Sequence, residues 1–209
     1  MRNPEATRLL RYPIDVYSVG VSVTVLVLQV LAWWGIDDVR WLAVAVALYL
    51  PLQSMTIPIT HNHYHVRTFL RRPFNRIFEF ILFWQSGLPS FGWELNHNLG
   101  HHRNYRNQDL SSPDHDEYYW KEANDHTTPQ WIYTFRTAAL SHYYAYRNGR
   151  RRHPALLRKY LSVMFVHLVV LGAMLAVRPL NTVVVFIVPI GLMMLTNAWT
   201  SYYHHVGLT

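Results

Sequence analysis

The chain has 209 residues, 51% of them apolar, no cysteine, and a formal net charge of +7. Without cysteine there are no disulfides, thiolate metal sites or cysteine nucleophiles, and the length is that of one domain spanning residues 1–209. The positive charge does not point to nucleic acid, because it is arranged around long apolar runs rather than gathered into a binding patch.

Four such runs follow one another, at residues 14–36, 41–59, 160–177 and 180–199. At 1.5 Å per helical residue each is long enough to cross a hydrocarbon layer of about 30 Å. The first reads as a retained anchor, since no small-residue cleavage site follows it. The turn Gly35-Ile36-Asp37-Asp38 folds it back onto the second, which Pro51 and Pro58 are expected to kink. The expected fold is all-α and integral to the membrane: four transmembrane helices in two hairpins, 14–59 and 160–203, with residues 60–159 forming a helical metal-binding cap.

Orientation comes from the basic residues. Of 19 Lys and Arg, three precede the first run (Arg2, Arg8, Arg11) and 14 lie between Thr60 and Tyr160; only Arg40 and Arg178 fall in the short loops. By the positive-inside rule both termini and the cap face the cytoplasm, against anionic headgroups.

The cap opens with His61-Asn62-His63-Tyr64-His65 at the end of the second run. A basic connector, 69–74, leads to an apolar helix over 75–85, too short to span and closed by Gly87-Leu88-Pro89. That helix is placed lying in the membrane interface or dipping in part-way. A second cluster, His97-Asn98-Leu99-Gly100-His101-His102, sits on another short helix. Residues 103–125 turn polar and acidic around Ser111-Ser112-Pro113-Asp114, 130–146 read as an amphipathic helix, and 147–152 are a basic run at the membrane edge. The last run ends in His204-His205.

Each of the two clusters contains an i, i+4 histidine pair, which a helix presents about 40° apart on one face. Imidazole is a nitrogen donor suited to Fe, Cu, Zn or Ni. His61 and His65 can hold one metal from one face, and His97 and His101 can do the same. His102, rotated by about 100°, can reach a second metal or the far side of the first. An isolated H-x3-H pair is weak; two at membrane exits, with His204-His205 on the same side, point to a metal centre.

The remaining polar residues have plainer readings. His63 lies opposite His61 and His65 and is assigned an orienting or structural part. Asp114, Asp116 and Glu117 are candidate acceptors for ligating imidazoles, or an ordinary acidic loop; Glu94, Asn96, Asn98, Asn104 and His204 are further candidates for that supporting role. His115, His126, His142 and His153 read as solvated, His167 as a helix–helix hydrogen-bond partner, and Trp84, Trp93, Trp120, Trp131 and Trp199 as interfacial aromatics.

His61-x3-His65 followed by His97-x3-His101-His102 resembles the first two histidine boxes of the membrane fatty acid desaturase and alkane hydroxylase superfamily. His205-Val-Gly-Leu208 resembles the segment at the end of the fourth span where that superfamily places another ligand, with His205 matching it. The resemblance implies two non-haem irons held by His61, His65, His97, His101, His102 and His205. It implies a long-chain acyl or alkyl substrate, O2, and a ferredoxin, rubredoxin or cytochrome b5-like electron donor at the cytoplasmic face of a bacterial inner membrane. The family pattern carries a further H-x2-HH box some tens of residues beyond the fourth span, so the chain is expected to be C-terminally incomplete. The expected reaction is desaturation of an acyl chain, with hydroxylation by the same centre as the alternative. Two other classes are weighed: a non-catalytic membrane metal-binding remnant, and a metal transporter. The spans offer a transporter only His167, Gln29, Gln53 and a few hydroxyls.

Overall fold

A computed structural model describes residues 8–122 and 126–206. Arg2, Asp125, Gly207, Leu208 and Thr209 therefore lie outside the described residues. Among those described there is no β-strand, and four helices are long and apolar enough to cross a membrane: Asp15–Gly35, Val39–His65, Pro154–Val177 and Pro179–His205. The expected all-α fold with four candidate spans is what the chain forms. By its contacts the chain divides into two compact units, 1–87 with 168–193, and 88–167 with 194–209.

The first unit is built on helices α1 (Asp15–Gly35), α2 (Val39–Ser54), α3 (Thr56–His65) and α4 (Arg72–Ser86). The turn between α1 and α2 falls where the sequence places it. Asp38 caps α2 by accepting from the Arg40 backbone N–H at 2.8 Å. The second span bends between α2 and α3, because Pro51 and Pro58 each remove a helical donor. Hydroxyls take up carbonyls there: Ser54 Oγ donates to Pro51 O and Thr56 Oγ1 to Gln53 O, both at 2.7 Å.

The core of this unit gathers Ala32, Leu42, Val46, Tyr49, Trp84, Val185 and Phe186. Trp84 stands edge-on to Phe186, with ring centroids 5.7 Å apart. The expected interfacial Trp84 is thus a core residue. Gln29 and Gln53 are fully buried structural links rather than a polar pathway. Gln29 Nε2 donates to Gln53 Oε1 at 3.4 Å, Gln53 Nε2 to Gln85 O at 2.8 Å, and Gln85 Nε2 to Ser22 O at 2.5 Å. In an apolar surrounding such bonds fix which helix faces meet. After α8 (Pro179–Thr182) a π-helical turn covers Val183–Ile187 before α9 (Val188–His205). Pro189 cannot donate to Val185 O four residues back; the backbone widens there, and the Tyr49 hydroxyl donates to that carbonyl at 2.9 Å.

α4 shows why a short apolar helix stays put. Asn75, Phe78, Glu79, Leu82, Gln85 and Ser86 recur at helical spacing and are buried, while Arg71 and Arg72 are exposed. Gly87 ends it at φ 72°, a left-handed conformation that glycine adopts without a Cβ penalty, its N–H on Phe83 O at 2.8 Å.

The second unit holds α5 (Ser90–Trp93), a π-helical segment Glu94–His101, a 3-10 turn His102–Asn104 and α6 (Gln130–Arg152); α7 (Pro154–Val177) begins within it. α6 runs through the basic residues 147–152, past the expected end at 146. Its buried positions, Tyr133, Thr134, Thr137, Ala138, Ser141, Tyr144, Ala145 and Gly149, follow the helical period and are mostly small. Phe91, Leu95, Ala145 and Tyr160 form one buried cluster, and Tyr118, Trp120 and Tyr133 another. Trp120 is buried, whereas Trp131 and Trp199 are exposed as expected of interfacial aromatics. His142 bonds through Nδ1 with the Tyr160 hydroxyl at 3.0 Å, and His115 Nδ1 with Ser112 O at 2.9 Å. His167 Nδ1 donates within its own helix, to Val163 O at 2.8 Å.

Candidate metal centre

The first histidine cluster occupies the last turn of α3, in the first unit. His61 and His65 stand one turn apart with ring centroids 4.7 Å from each other, His61 half-buried and His65 exposed. His63 points the other way and is buried. Its Nδ1 accepts from the Thr68 backbone N–H at 3.3 Å and lies 2.9 Å from Thr68 Oγ1. That acceptor role assigns the ring proton to Nε2, which faces Glu79 Oε1 at 3.7 Å. His63 therefore tethers the loop after the helix and does not share the face of His61 and His65.

The second cluster is wound as a π-helix. In a regular α-helix residues i and i+5 point about 140° apart. A π-turn bonds i+5 back to i, and the His102 N–H does donate to His97 O. The rings of His97 and His102 are 4.5 Å apart as a result, closer than His97 to His101 at 5.4 Å. His101 and His102 are 5.3 Å apart. The winding thus turns all three imidazoles toward one another, which the expected 100° offset of His102 did not anticipate.

A fourth imidazole joins these three from the end of α9. His205 stands edge-on to His101 with centroids 4.5 Å apart, while His204 is exposed. Trp93, expected at the interface, is buried and lies against His97 with centroids 4.3 Å apart. Tyr118 covers His101 at 4.5 Å.

His101 carries the clearest signature of a ligand. It is fully buried, its Nδ1 donates to Asp116 Oδ1 at 2.7 Å, and its Nε2 has no hydrogen-bond partner among the described residues. A carboxylate on Nδ1–H holds the ring in the tautomer whose Nε2 lone pair is open. His205 repeats the arrangement, with Nδ1 bonded to Ser201 O. Neutral imidazoles presenting Nε2 are a donor set that iron accepts, so the residues fit the metal that the histidine boxes imply.

The carboxylate that orients His101 is Asp116, not Asp114. Asp114 is exposed and paired with Arg152, whereas Asp116 is fully buried and also accepts from the Arg106 and Tyr118 backbone N–H groups at 3.1 and 2.9 Å. An acidic loop has no periodicity to say which of its carboxylates turns inward. Glu94 is half-buried at the start of the π-segment, Asn96 is buried, and Asn98 and Asn104 are half-buried.

Glu117 braces the π-segment from behind. It is 1% exposed, and its Oε1 accepts from Arg147 Nη2 at 2.9 Å. Burial pushes its carboxyl up to about 7, against the opposing pull of Arg147. Asn148 donates to Leu95 O at 3.0 Å. Both groups press on Gly100, where a Cβ would stand 2.5 Å from Asn148 Nδ2 and 2.7 Å from Glu117 Oε2. The glycine inside the second cluster is thus the contact point between the histidine mount and α6. Sequence reasoning left Arg147 and Asn148 in a basic run; only their place on the inner side of α6 distinguishes them.

Comparisons with curated proteins and with solved structures return no match. The model of the fatty acid desaturase family matches residues 39–209, most of the chain. With that match and four helices of membrane-spanning length, the chain belongs to the fatty acid desaturase family, as an integral membrane protein of the desaturase and hydroxylase class of oxidoreductases.

Proposed function

We propose that the chain is an O2-dependent desaturase that introduces a double bond into a long acyl chain at a non-haem di-iron centre. The observation that carries this reading is His101: buried, fixed by Asp116 at 2.7 Å, its Nε2 open, and in ring contact with His97, His102 and His205. His61, His65, His97, His101, His102 and His205 would hold the irons. Bound there, iron and O2 would supply the oxidising power to remove hydrogen from an unactivated C–H bond.

The chain's own groups prepare that chemistry. Asp116 keeps a proton on His101 Nδ1 and so keeps Nε2 available. Tyr118, 5% exposed, and Trp93, 4% exposed, cover His101 and His97 and exclude water from their faces. Four apolar spans admit an acyl substrate from the bilayer. The distribution of basic residues supports a centre on the cytoplasmic side of the membrane, within reach of a soluble or b5-like electron donor.

Metal analysis and product mass test the reading together. The native protein is expected to bind two irons and to yield an acyl product lighter by two hydrogens. Absence of bound iron would sink the proposal. A product heavier by one oxygen would favour the hydroxylase reading, which the His205-Val-Gly-Leu208 segment also supports.

A further inference from the structure

The first histidine pair sits where a helix ordinarily frays. α3 ends at His65, and its last backbone bond there is Val66 N–H to Asn62 O at 2.7 Å. Side-chain ligands on such an end keep a metal geometry only if the chain beyond is held. The following connector, residues 66–71, is held from several sides. Arg11 N–H donates to Thr68 O at 2.8 Å and Leu70 N–H to Leu9 O at 3.0 Å. Asn75 reads the Phe69 backbone twice, accepting from its N–H at 3.0 Å and donating to its O at 2.9 Å.

At the centre of this arrangement is Glu79, a lone carboxylate on the buried side of α4. It is 5% exposed. Arg67, two residues beyond His65, donates Nη1 to Glu79 Oε1 at 2.6 Å, and Arg76 pairs with Oε2. His63, two residues before His65, turns Nε2 toward the same Oε1 at 3.7 Å. The carboxylate therefore engages a residue two positions to either side of His65. A buried charge persists only where its partners are fixed, and it fixes them in turn. Phe78 completes the contact, edge-on to His63 at 5.1 Å.

We infer that Glu79 is a positioning residue for the metal centre: through His63 and Arg67 it holds the end of α3 so that His61 and His65 present their imidazoles together. This rests on the reading of those two histidines as ligands. Glu79 itself touches no reacting atom. Arg76 sits on α4 itself, three residues before Glu79, so its ion pair does not reach the end of α3 as that of Arg67 does.

The test uses the full chain in detergent micelles, as wild type and as Glu79→Gln, Glu79→Asp and Arg76→Ala. Two readouts are taken: Co(II) titration followed by its visible spectrum, and hydrogen exchange of residues 61–70 in the metal-free protein. Glu79→Gln keeps the shape and removes the charge. It is expected to weaken Co(II) binding at least tenfold for one equivalent and to speed exchange at 61–70, with helix content unchanged. Glu79→Asp is expected to recover part of the affinity, and Arg76→Ala to stay within about twofold of wild type. Wild-type affinity and exchange in Glu79→Gln would overturn the inference alone. A wild-type chain that binds no Co(II) would overturn the metal-centre reading and the inference with it.

Discussion

The two histidine clusters share the spelling H-x3-H and differ in how they are mounted. His61 and His65 ride the last turn of an ordinary α-helix with ring centroids 4.7 Å apart, His61 half-buried and His65 exposed. His97 and His101 lie on a buried π-wound segment braced by Asp116, Glu117, Arg147 and Asn148. The structure thus anchors the first pair through residues that flank it in the chain, and the second through the Asp116 bond to the His101 ring and the contacts behind Gly100. A ligand pair defined by spacing says which atoms can meet; the mount says how firmly they are held there.

Breaking the better-mounted cluster should have the largest effect. His101→Ala is expected to abolish iron binding in the native enzyme, and Asp116→Ala to weaken it by about 10- to 100-fold, the usual cost of removing a carboxylate behind a ligating imidazole. Metal analysis after dialysis reads both. Unchanged two-iron stoichiometry in His101→Ala would remove this histidine from the ligand set.

Gly100→Ala separates the mounts. Its Cβ would meet Asn148 and Glu117 at 2.5 and 2.7 Å, an overpacking that costs about 1–3 kcal/mol. Thermal unfolding should fall accordingly, and loss of metal should be confined to the equivalent held by the second cluster. An Ala variant as stable as wild type would show that α6 yields at this contact.

Glu117 gives a pH signature to the same side of the comparison. Its carboxyl lies near 7 in the folded chain against an ordinary value of 4.5. The folded state holds this proton more tightly, so its contribution to stability is complete below about 4.5 and is lost as pH rises through about 7. The shift is worth on the order of 3 kcal/mol. Wild type is expected to lose stability from pH 5 to 7 relative to Glu117→Gln, measured by unfolding in detergent. Parallel profiles would mean that Arg147 keeps the carboxylate ionised throughout.

The smallest effect is expected at the rim of the first mount. Arg76→Ala removes one of two guanidiniums on the buried Glu79 carboxylate, leaves Arg67 in place, and should cost about 1 kcal/mol. A cost several times larger would make Arg76 a main support rather than an accessory.

Much of this was legible in the residues themselves. Four long apolar runs, the Gly35–Asp38 turn, the stop at Gly87 and the two histidine spacings each depend on local chemistry, and each appears where the sequence puts it. Even Glu79 left a local trace, as the one carboxylate in an apolar helix between Phe78 and Phe80. Its partners left none. Aromatic residues were the least legible, because tryptophan serves an interface and a core equally well: Trp84, Trp93 and Trp120 are buried while Trp131 and Trp199 are not.

Spacing along one helix thus determined by itself that His61 can meet His65, and hydrophobic length alone determined that the chain is a membrane protein, because both follow from backbone geometry that needs no neighbour. Tertiary structure alone decided that Asp116 rather than Asp114 holds His101, and that His63 serves Glu79. Each of these depends on which distant group arrives to satisfy a buried donor or acceptor. A buried polar atom must find its partner wherever the fold brings one, and distance along the chain does not record where that is.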